Sequence, residues 1–138
     1  MTIDELLEKP FCLIDVLPEQ VPEDSEGQYF KVEYYFRTEM KARIRERMLG
    51  LLLKLNCYYA LTVSAPEDEE GVQNPAPEIL AERLKKQELN ILAGPALITS
   101  DPEDHYMTVY NADERMKTLL SKLAVSEGLF LREPVSDQ

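Results

Sequence analysis

Met40, Ile44, Met48, Leu51, Leu52 and Leu55 recur at spacings of three and four, so a helix over 39–56 gathers them into one apolar stripe. Leu49 and Leu53 fall off that stripe, leaving the last two turns apolar on most sides. That end needs deep burial or a second chain. On either side of the helix lie stretches, 29–36 and 57–63, whose side chains alternate with period two. A one-sided helix joined at both ends to alternating segments has to lay its stripe across a sheet.

The remaining segments extend that pattern. "TIDELLEK" opens with Thr2 and has Glu5 three residues on, the capping-box arrangement for a short helix, which Pro10 ends. "FCLIDVL" reads as a short strand with a continuous apolar run, and "PEQVPEDSEGQ" as a surface loop. Thr38 is placed to cap the 39–56 helix. "APEDEEGVQNPAP" reads as a long acidic loop, and Pro77 sits where the first turn of a helix tolerates proline. "LNILAGPALITS" gives apolar strands bent at Gly94–Pro95, and "HYMTVYN" gives another strand. Asn111 or Asp113 caps a helix carrying Met116, Leu119, Leu120, Leu123 and Ala124 on one face, with Gly128 at its exit. "LFLREP" is a final strand.

The order strand, helix, strand, strand, helix, strand is the ferredoxin-like split βαβ pattern. It predicts an α+β fold: a four-stranded antiparallel sheet with two main helices on one face. A single domain accounts for residues 1–138, with 1–27 an N-terminal addition, 28–64 and 105–133 the core, 65–104 an insertion and 134–138 a frayed tail.

In that arrangement alternation sorts the strand residues. Phe30, Val32, Tyr34, Phe36, Cys57, Tyr59, Leu61, Val63, Met107, Val109, Leu129 and Leu131 face the helices. The other side receives Tyr29, Tyr35, Tyr58, Tyr106, Tyr110, Phe130 and Arg132, including five of the seven tyrosines. Tyrosine brings contact area and one polar tip, so this reads as a binding face. The expected function is non-catalytic: homodimerisation, or association with a protein partner, through the tyrosine-rich sheet face. The acidic stretches 18–28 and 65–78 would meet a basic partner. The alternative is a small enzyme or ligand sensor, taking a small molecule in a pocket between the sheet and the 65–104 insertion, with His105, Tyr106, Tyr58 and Arg132 lining it.

Charge narrows the partners. The net charge of −11 disfavours nucleic acid, whose phosphates need Lys and Arg, and also anionic membrane surfaces. Residues 37–54 run against this trend with six bases and two acids, a solvated face that neighbouring acidic loops such as "PEDEE" would pair. The N-terminus has acids where a secretory signal needs bases, so a cytoplasmic protein is expected. Cys12 and Cys57, the only cysteines, form no C-x-x-C pair and read as two buried reduced thiols.

"SDPEDHYM" holds the sole histidine, His105. Its acids could ligate a metal, but Asp-Pro-Glu-Asp is also ordinary turn chemistry, and no second histidine exists to complete a His pair. His105 is therefore expected to cap the core edge at the start of a strand, with no metal and no cofactor. Nucleophile elbows, phosphate loops and dinucleotide glycine motifs do not occur.

Overall fold

A computed structural model describes residues 1–24 and 26–134. Seven strands form one sheet in which every neighbouring pair is antiparallel. In chain order the elements are α1 (Ile3–Leu6), β1 (Phe11–Asp15), α2 (Gln28–Arg37), α3 (Lys41–Asn56), β2 (Leu61–Ala65), β3 (Asp68–Gln73), α4 (Pro77–Lys86), β4 (Leu89–Ala93), β5 (Ala96–Ser100), β6 (Tyr106–Tyr110), α5 (Glu114–Ser126) and β7 (Phe130–Arg132). Across the sheet they run β3-β2-β4-β5-β6-β1-β7.

Register puts Val63, Ile91, Ile98, Val109, Cys12 and Leu131 on one face, where α3, α4 and α5 close over them. The stripe of α3 behaves as its spacing predicts: Met48, Leu51, Leu52 and Leu55 are all fully buried. Each such side chain contributes about 1.5–3 kcal/mol by leaving water. Helix ends follow local chemistry. Asp113 accepts from the Met116 N–H, Thr2 from the Glu5 N–H, Pro77 opens α4, and Gly128 leaves α5 at φ 75°.

The segment 28–36 is a helix, not the expected first strand. Its alternating aromatics suit either period, but Tyr29, Glu33 and Phe36 sit at spacings of four and three and form the half-buried side. The Tyr29 hydroxyl donates to Glu33 Oε2 at 2.8 Å, a contact available only one helical turn away. Gly27, at φ 76°, turns the chain into the helix. Phe30 and Tyr34, expected in the core, are 73% and 70% exposed. The place between β6 and β7 goes instead to β1, whose apolar run suits a strand flanked on both sides.

Other expectations shift with it. Thr38 closes α2 rather than opening α3, its hydroxyl donating to the Tyr34 carbonyl. The acidic loop after β2 pairs back on it as β3, an edge strand whose exposed Asp68 and Glu70 discourage further pairing. Residues 57–60 continue from the α3 terminus instead of starting a strand, so Cys57 is exposed while Cys12 is buried. Gly94 and Pro95 form the tight turn of a β4–β5 hairpin. The tail from 135 onward lies outside the described residues.

Candidate functional site

The face turned away from the main helices is not uniform. Over β4 and β5 it lies under α1, and Leu97 and Leu6 are buried there. Over β6, β1 and β7 it forms the floor of a groove of about 490 Å³. Phe11 and Leu13 of β1 and Tyr106, Thr108 and Tyr110 of β6 make that floor. Tyr29 and Glu33 of α2 form a wall, and the groove ends at Asp15, His105 and Arg132. A second cavity of about 340 Å³ shares Asp15, Tyr29 and Arg132 and is rimmed by Glu19 and Glu23.

The closed end is built around Asp15, the lone charge in the apolar run of β1, whose side chain is 2% exposed. Its Oδ2 accepts two bonds from the Arg132 guanidinium, at 3.0 and 2.8 Å. Its Oδ1 accepts from the Val16 N–H at 2.6 Å and lies 3.3 Å from His105 Nδ1. The opposite ring nitrogen, Nε2, lies 3.3 Å from Glu33 Oε2. Phe36 and Tyr106 pack near the imidazole, one tilted and one edge-on, with ring centroids 5.9 and 5.5 Å away.

A neutral imidazole has one N–H and would set a lone pair against one of these carboxylates, so the geometry belongs to the imidazolium. The Asp15 hydrogen bond raises the His105 pKa above its ordinary 6.5, and burial opposes this less strongly. Burial pushes the Asp15 carboxyl upward, but the bonds from His105 and Arg132 prevail and hold it below 3.8. The Tyr29 hydroxyl, aided by His105, holds Glu33 below 4.5, while burial and that carboxylate lift Tyr29 to about 12. With Asp15, Glu33, His105 and Arg132 all ionised, two positive charges face two negative ones.

Such a cluster is poorly suited to proton transfer. While the ring is protonated, both imidazole nitrogens face carboxylates and no lone pair is free for a general base. Among the described residues no group of three or more His, Cys, Asp or Glu side chains has the geometry to hold a metal ion. No family model, curated protein or solved structure matches this chain.

Of the residues expected at a binding face, Tyr29, Tyr106, Tyr110, Arg132 and His105 come together in the groove. Phe130 is on the same face, across from Asp15, and half-buried. Tyr35 is 55% exposed on α2, and Tyr58 is 66% exposed beyond the end of α3; neither lines the groove. The 65–104 segment does not cover the sheet but supplies β3, β4 and β5 to it, and a cavity of about 340 Å³ lies beside Asn90, Thr99 and Asp101. It takes in Tyr106 but not His105, Tyr58 or Arg132. Asp15 was not expected at the site. Its signal was an acid inside "FCLIDVL", since a charge buried in a strand requires a partner.

Three bases of the 37–54 run meet the turn before β6, and Lys54 pairs with Glu127. Arg37 Nε donates to the Glu103 carbonyl, Lys41 meets the Glu103 carboxylate, and buried Arg45 donates to Ser100 Oγ and the Asp104 carbonyl. These contacts fix the turn that delivers His105.

Proposed function

We propose that this chain is a non-catalytic binding domain that takes an apolar segment of a protein chain in the groove over β1 and β6. The observation that carries the reading is the floor itself: Phe11, Leu13, Tyr106 and Tyr110 side by side, with Tyr29 opposite. Aromatic rings with polar tips give large contact area at low entropic cost. The engaged imidazole argues for binding rather than catalysis. Glu19, Glu23 and Glu33 around the rim favour a segment that also carries Lys or Arg. Homodimerisation through the same face is the variant of this proposal that must also overcome repulsion between two chains of net charge −11.

Two finer readings belong to the same proposal. β1 and β2 run in the same direction with α3 between them, and β6, α5 and β7 follow in the same manner, with β1 lying between β6 and β7. We infer a ferredoxin-like split βαβ core that begins at β1 and is widened by the β4–β5 hairpin. A cytoplasmic location accords with two free thiols. No described helix is long and apolar enough to cross a membrane.

The test uses Tyr110→Ala and Tyr106→Ala. A synthetic peptide alternating leucine and lysine should shift the tyrosine NMR signals of the unaltered chain at low salt, and either substitution should weaken binding about tenfold or more. Light scattering over a concentration series reports the dimer. No tyrosine shift together with a monomer at every concentration refutes the proposal.

A further inference from the structure

We propose that α2 is a proton-operated flap: the His105 bridge between Asp15 and Glu33 holds it against the groove, and loss of the bridging proton lets it swing out on the turn at residues 38–40. Three observations converge on this element. No residue of α2 is fully buried, so it adds little to the core that holds the other long helices. It supplies a wall to both cavities through Tyr29, which makes its position decide their shape. Its polar tie to the body on the groove side is Glu33 to His105, while Arg37 anchors its far end to the Glu103 carbonyl beside the turn.

The charges around the imidazole show why one proton suffices. Asp15 faces it from β1 and Glu33 from α2, with the Tyr29 hydroxyl on Glu33. Arg132 reaches in from β7 but is engaged by Asp15; Tyr106 follows on β6, Asp104 precedes in the turn, and Arg37 lies on α2. With the proton present, positive and negative charges balance. Without it, two carboxylates flank a neutral ring that can donate to only one of them. Asp15 is fixed by Arg132 and its own backbone, so Glu33 is the group that leaves. Because the folded pKa of His105 lies above 6.5, the tie is fully present below 6.5 and is lost as pH rises through that folded value.

This inference is independent of what the groove binds, and its test needs no ligand. The chain has one histidine, so its imidazole NMR titration is unambiguous. Amide exchange is measured alongside, as protection factors, from about pH 5.5 to about pH 9. Protection across α2 should fall about tenfold or more in step with the His105 titration, while α5 stays unchanged. In His105→Gln, α2 should be poorly protected at both ends of the range. Glu33→Gln, at a half-exposed position that tolerates change, should bring the His105 midpoint down towards 6.5 and flatten the α2 response. Constant α2 protection through the titration, or a His105 midpoint unmoved by Glu33→Gln, overturns the flap.

Discussion

Asp15→Asn keeps the size of a buried side chain and removes the charge that ties β1 to Arg132 of β7 and to His105 ahead of β6. The wild-type carboxylate accepts from Arg132 twice, from Val16 N–H, and faces His105 Nδ1. Asparagine has one acceptor oxygen, so in either orientation its NH₂ group meets donors. Breaking one side of a buried ion pair costs about 3–5 kcal/mol, and here the loss leaves two cations without their shared partner. Against a total stability of roughly 5–15 kcal/mol this is a large fraction, corresponding to a Tm lowered by roughly 10–20 °C. Urea unfolding followed by far-ultraviolet circular dichroism near pH 7 measures it. The dependence on pH tests the cause. Asp15 is held below 3.8 in the folded chain, so its contribution is fully present above 3.8 and fades as pH falls through the folded value. A loss under about 1 kcal/mol near pH 7, or one that does not shrink in acid, refutes the account.

Two further outcomes check the fold around the site. Iodoacetamide should modify exposed Cys57 in the folded chain and reach Cys12 only in denaturant, because burial lifts the Cys12 thiol to about 11; comparable rates by mass spectrometry contradict this. Gly94→Ala combines φ 53° with a Cβ placed 2.8 Å from the Tyr59 ring, so the urea midpoint should drop by the equivalent of about 1–3 kcal/mol, and an unchanged midpoint refutes the turn geometry.

The sequence is most legible where one periodicity excludes the other. The α3 stripe, the caps at Thr2 and Asp113 and the β6 alternation read directly, because each depends on neighbours within a few residues. The segment 28–36 defeats that logic. Aromatics at every second position satisfy a strand, yet Tyr29, Glu33 and Phe36 satisfy a helix equally well, and tertiary context decides. Tyr106 and Tyr110 keep their shared face through this reversal, since they are set by the register of β6 against β1, and Tyr29 joins them from α2. Tyr35 and Tyr58 do not, because their placement depended on strands that the chain does not form.

The ionic cluster was illegible for a different reason. His105 meets Asp15 across 90 residues and Glu33 across 72, and Arg132 meets Asp15 across 117. No spacing rule reaches that far, whereas burial does: a charge inside an apolar strand and a lone histidine beginning another each require compensation. The sheet explains why they find each other. β1 lies between β6 and β7 and runs antiparallel to both, so its last residue sits across from the first residue of each, with His105 just ahead of β6 and Arg132 two residues into β7. An acid placed there meets the histidine of one neighbour and the arginine of the other, leaving the second imidazole nitrogen to face α2. The strand order thus turns four scattered charges into one cluster, and that cluster into the point where a weakly held helix meets the groove.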